Sequence, residues 1–94
     1  MDQALYDYLL KLGFADDEVK FLETCCPGLA VISSAQAFAN IATVVQAGYP
    51  EADIDGLLAV NPHFLLGRPA DLAQKLATMG GDIEAKLKAD PYLI

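Results

Sequence analysis

The chain is a succession of short apolar stripes at helical spacing, broken by glycine and proline. In the opening segment Leu5, Tyr8, Leu9 and Leu12 recur every three or four residues and share one helix face. The same spacing returns in Val19 and Leu22, in Phe38, Ile41, Ala42 and Val45, in Ile54, Leu57 and Leu58, and in Leu72, Leu76 and Met79. Gly13 and Gly48 suit the left-handed position that ends a helix. Pro27, Pro62 and Pro91 also stop a helix, because the residue before proline is pushed out of the α region. Helix starts are equally legible. Asp16, Asp17 and Glu18, and later Glu51 and Asp53, set acids against a positive helix N-terminus. Ser33 and Ser34 supply N-caps, and Pro69 suits a first turn. Six helices are predicted: Asp2–Leu12, Asp16–Cys25, Ser34–Ala47, Glu51–Val60, Pro69–Met79 and Asp82–Ala89. No segment alternates with the two-residue period of a strand, so the chain reads as all-α.

The stripes themselves repeat. At an offset of 35, "GFADDEVKFLETCCPGLAV" (Gly13–Val31) lies without a gap on "GYPEADIDGLLAVNPHFLL" (Gly48–Leu66). Phe14 meets Tyr49, Val19 meets Ile54, Leu22 meets Leu57, Pro27 meets Pro62 and Leu29 meets Phe64. The register carries on through Ile41 on Leu76 and Thr43 on Thr78. "GGDIEAKLKADPYLI" (Gly80–Ile94) reads as a third copy, three residues shorter in its turn. It sets Asp90-Pro91-Tyr92-Leu93 on Asn61-Pro62-His63-Phe64. A fixed period of about 20–50 residues marks a stacked helical repeat. The expected organisation is one domain over 1–94, with a half repeat at 1–12, repeats at 13–47 and 48–79, and a truncated repeat at 80–94. "VNPHFLLG" (Val60–Gly67) then becomes the second of three helix-stopping turns, and its His63 sits at a variable position.

The motifs "LGF…DDEV…FL…CPGL", "AGYPEADIDGLLAVNPHFLL" and "MGGDIEAKLKADPYLI" resemble the repeat of the mitochondrial transcription termination factor (mTERF) family over most of Leu12–Ile94. The resemblance implies a right-handed, α-solenoid-like superhelix of two-helix units, each with a short 3₁₀ turn near its proline. It also implies nucleic-acid binding through basic side chains lining a concave groove. The bases that could serve here are Arg68 and Lys75 in the fifth helix and Lys86 and Lys88 in the last. A second stretch, "LLKLGFADDEV", is similar to the helix, Gly-Phe loop and helix start of ubiquitin-associated domains, which implies a protein-binding loop. Those domains are shorter and lack the duplication.

Composition narrows the partner. Hydrophobic residues make up 54% of the 94, far above a disordered chain and enough for one core. No run approaches the roughly 18 apolar residues of a membrane helix. The start, "MDQALYDYLLKLGF", carries Asp2 and Asp7 and lacks the basic region of a signal peptide, so no membrane association and a cytoplasmic location are expected. The net charge of −7 resides in residues 1–60, where nine acids face two bases; residues 61–94 hold four of each. Such a field repels a polyanion, whose binding depends on basic groups displacing counterions. A protein partner is therefore favoured over nucleic acid.

Reactive chemistry is not predicted. Cys25 and Cys26 are adjacent, which strains a disulfide and is too close for zinc spacing, so they read as small apolar side chains near a helix end. His63 has no neighbour suggesting a triad, and its repeat counterparts are Gly28 and Tyr92. Gly80-Gly81 lacks a phosphate-loop lysine and a preceding strand. No catalytic residue, metal or cofactor is expected. The closing "DPYLI" leaves two outcomes for Tyr92, Leu93 and Ile94: they fold back onto the core, or they form an apolar patch for a partner or a second copy. The reading is a non-enzymatic interaction module, or part of a longer repeat protein.

Overall fold

The computed structural model covers residues 1–94 and contains helices and turns only. The helices are α1 (Gln3–Leu12), α2 (Asp16–Cys25), α3 (Ser34–Gln46), α4 (Ile54–Val60), α5 (Pro69–Met79) and α6 (Ile83–Ala89). Short 3₁₀ turns occupy Pro27–Ala30, Glu51–Asp53, Pro62–Leu66 and Pro91–Leu93. Two of the expected helices begin one residue late because their first acid is the cap. The Asp2 carboxylate accepts from the Ala4 N–H at 3.1 Å, and that of Asp82 from Ala85 at 3.1 Å. Ser33 caps α3 by accepting from Gln36 at 3.2 Å. The expected helix Glu51–Val60 divides, since Asp53 at φ −106° and ψ 5° leaves the α-helical angles.

Local chemistry ends the helices as anticipated. Gly13 and Gly48 have φ of 110° and 121°, a region unfavourable to any side chain. Each closes its helix with the same pair of bonds: Gly13 to Leu10 and Phe14 to Leu9, Gly48 to Val45 and Tyr49 to Val44. This double closure satisfies the last carbonyls of α1 and α3. The residues before the three prolines also share a geometry. Cys26, Asn61 and Asp90 lie at φ/ψ of −135°/79°, −136°/75° and −145°/93°. Their N–H groups return to Leu22, Leu57 and Lys86 at 2.8, 2.8 and 2.9 Å.

These turns lean on one another. The Leu66 side chain occupies the space where a Cβ on Gly28 would stand, 2.7 Å from Leu66 Cδ1. The Asn61 side chain donates to the Pro91 carbonyl at 2.9 Å, and Tyr92 donates its hydroxyl proton to the Val60 carbonyl at 3.2 Å. Pro62, Phe64 and Leu65 are buried while His63 between them is exposed, so this turn is a packed joint.

Helix α3 is central, packing against α1 and against α5 with the Pro62–Leu66 turn. Its buried face is Ala37, Asn40, Ile41 and Val44. The expected stripe of Phe38, Ile41, Ala42 and Val45 is therefore rotated, and Ala42 is exposed. The cause is polar. Asn40 donates to the carbonyls of Leu65 and Gly67 at 2.9 and 2.8 Å, and Gln36 donates to those of Leu66 and Gly67 at 2.8 and 2.9 Å. The 3₁₀ turn frees these carbonyls, and buried ones must find donors. The Cα radius of gyration, 12.5 Å, matches the roughly 12 Å expected for this length. No helix is long and apolar enough to cross a membrane.

One link joins helix starts distant in sequence. The second oxygen of Asp2 accepts from the Ser34 N–H at 3.0 Å. That bond, and then the one from Ala4, hold the Asp2 carboxyl below its ordinary value of 3.8. A depressed folded value adds stability above the unfolded value, which is lost as pH falls through the folded one. Thermal melts should thus show the melting temperature dropping below pH 3.8, and Asp2→Ala should lower it at neutral pH and flatten that acid limb.

Candidate functional site

Three of the four candidate nucleic-acid contacts are committed within the fold. Arg68 pairs with Asp71 at 2.9 Å. Lys88 pairs with Asp53 at 2.8 Å and Glu84 at 2.7 Å, which hold its ammonium protonated well beyond the ordinary lysine range. Lys86 donates to the Met79 and Gly80 carbonyls at 2.6 and 2.8 Å, closing the C-terminus of α5. Lys75 makes no ion pair and borders a hollow with Asp71, Gln74 and Leu93. The closing segment divides between its two expected outcomes. Ile94 packs against the core, whereas Tyr92 and Leu93 are 68% and 43% exposed. Of the cysteines, Cys26 is buried and burial pushes its thiol up, while Cys25 is exposed; both are free. No three His, Cys, Asp or Glu side chains converge as a metal-ligating group.

An apolar trough with an acidic rim runs between α2 and α4. Val19 and Leu22 turn the inner face of α2 to the core, which leaves Phe21 outside at 66% exposure. Two adjoining hollows, of about 540 and 270 Å³, share Phe14, Glu18 and Ala59. Phe21 and Leu22 line the larger one, and Gly56 and Asp55 the smaller. A Cβ on Gly56 would meet nothing within 4 Å, so the α4 wall is bare there. Asp17, Glu18 and Asp55 form the rim. Asp17 and Glu18 do the helix-start work expected of them: Glu18 accepts from the Ala15 N–H at 2.9 Å and Asp17 from that of Glu18 at 3.0 Å. None of the three has a cationic partner.

The hydrophobic pattern did not reveal this trough, because Phe21 falls off the buried stripe and looks like an isolated exposed aromatic. A signal was present all the same. At the repeat offset Phe21 meets Gly56, the largest mismatch of volume between α2 and its counterpart.

A further hollow, of about 360 Å³, lies between α1 and α3 and is lined by Tyr8, Phe38, Ile41, Ala42 and Val45, with Gln46 and Glu51 also lining it. The Tyr8 and Phe38 rings meet edge to face, 5.3 Å apart. The Tyr8 hydroxyl is buried without a partner, and burial pushes its phenol up. An unpaired buried hydroxyl destabilises the fold, so Tyr8→Phe should raise stability by about 1–2 kcal/mol in denaturant unfolding. Comparison with protein-family models, with curated proteins and with solved structures gives no match to this chain.

Proposed function

We propose that the chain is a non-enzymatic helical-repeat interaction module that binds another protein in the trough between α2 and α4. The observation that carries this reading is Phe21, two-thirds exposed on the wall of an apolar hollow that it shares with Phe14, Leu22 and Ala59. A rigid aromatic next to a vacant apolar cleft is the usual anchor of a protein interface. The Gly13-Phe14 loop, which carries the similarity to ubiquitin-associated domains, lines the same trough. The α1–α3–α5 succession of contacts and the shared geometry of the three proline turns support a superhelical, mTERF-like stack of two repeats with flanking partial units. Nucleic-acid binding is the weaker reading, since among the four candidate bases only Lys75 is uncommitted. Self-association through Tyr92 and Leu93 is a second protein reading, favoured by their exposure. A monomer at high concentration, by sedimentation, would reject it.

Selection of displayed random peptides on the protein, with counter-selection on Phe21→Ser, tests the trough. Enrichment of peptides that need Phe21 is the expected outcome. Absence of any such peptide, or binding of duplex or single-stranded nucleic acid at low salt that Lys75→Ala abolishes, would overturn the proposal.

A further inference from the structure

We infer that the trough receives a cationic amphipathic helix from a different protein, a segment with one apolar face bordered by Lys or Arg. This rests on the reading of the trough as a protein-binding site and names the chemistry of its partner. The floor of Phe14, Leu22 and Ala59 is apolar, and the rim of Asp17, Glu18 and Asp55 is anionic and free of ion pairs. It also lies within the part of the chain that carries the whole net charge of −7. An occupant that is apolar towards the floor and cationic towards both edges matches each surface it meets.

Three arguments narrow the occupant further. The walls are two helices, and helices offer no free sheet edge along which an extended strand could pair. Recognition is therefore by side chains along a face, as when an amphipathic helix lies in a groove. The α2 residues that line the trough, Asp17 to Leu22, run about 9 Å along the helix, which a guest of two to three turns covers. A second copy of this chain cannot supply it. Apart from Lys11 on α1 and Lys75 on α5, every base is held by a carboxylate or by backbone carbonyls, so no segment presents two free cations beside an apolar face.

The experiment uses the full chain and three leucine-based amphipathic peptides of roughly 14 residues. Their apolar faces are identical, and their polar residues are all Lys, all Gln or all Glu. Fluorescence anisotropy gives affinity, and amide chemical shifts give location. The Lys peptide should bind, shift the amides of Phe14, Glu18, Gly56 and Ala59, and weaken as salt rises. The Gln peptide should bind about tenfold more weakly and the Glu peptide more weakly still. Asp17→Asn and Asp55→Asn should each weaken the Lys peptide about three- to fivefold, the range of an exposed ion pair. Phe21→Ala should abolish its binding. Phe21 is exposed and asparagine keeps an acceptor at position 17, so unchanged thermal melts will show that these variants fold. Equal, Phe21-dependent binding of the Lys and Gln peptides would overturn the cationic assignment and leave the trough standing. No Phe21-dependent binding by any peptide would overturn the trough as well, as would Lys-peptide binding that survives Phe21→Ala.

Discussion

Leu65→Ala should lower folding stability by about 2–5 kcal/mol, while His63→Ala, two residues away, should change it by less than about 0.5 kcal/mol. Leu65 is 1% exposed and belongs to the 3₁₀ turn that packs against α3, with Phe64 buried beside it. Truncating it removes apolar contacts and opens a cavity between the turn and α3, which a packed core refills only in part. A chain of this length has roughly 5–14 kcal/mol of stability in all. The substitution should therefore lower the melting temperature by roughly 10 °C or more. His63 points to solvent, where a side chain adds little. Urea unfolding of both variants measures the contrast. A His63→Ala loss as large as that of Leu65→Ala would reject the turn as a joint organised around its apolar residues.

Asn40→Ala should be nearly as severe, at about 2–4 kcal/mol. Both amide protons of Asn40 are used, one on the Leu65 carbonyl and one on that of Gly67. Gln36 also reaches Gly67, so that carbonyl keeps a donor when Asn40 is lost. The Leu65 carbonyl does not, and stays buried and unpaired. Asn40→Asp should be worse, because it replaces both donors with acceptors in a fully buried place and adds a charge there. Gln36→Ala should be milder, since Gln36 is only half-buried and the carbonyls it leaves lie nearer to water. Because the two side chains share Gly67, the Gln36/Asn40 double variant should depart from the sum of the single ones. Additive losses would mean that they do not act as one clamp. The Oδ1 atom of Asn40 has no partner, so its amide donors are what place this polar residue in the core.

The two experiments separate what was legible in the chain from what was not. Phe64, beside Leu65, could be placed in the core from the repeat, since it matches Leu29 of the preceding turn. Asn40 could not. A hydrophobic pattern assigns any polar residue to the surface, and its partners stand at least 25 residues away in sequence. The same blindness rotated the expected face of α3. Charge was misleading for a related reason. Arg68, Lys86 and Lys88 look like free bases in the chain, but carboxylates or backbone carbonyls come to meet them through helix geometry and tertiary packing.

The amino-acid sequence by itself determined the all-α class, the position of nearly every helix, the left-handed glycines at 13 and 48, and the three proline-stopped turns. These depend on bonds and backbone preferences spanning about four residues, which neighbouring side chains settle among themselves. Only the tertiary structure decided the rest. It chose the buried face of α3, turned Ile94 inward and left Tyr92 and Leu93 outside, committed three of the four candidate bases, and set exposed Phe21 in the wall of a trough between α2 and α4. Each of those outcomes depends on which helices meet and at what distance. That is a property of the packed chain and not of any one segment.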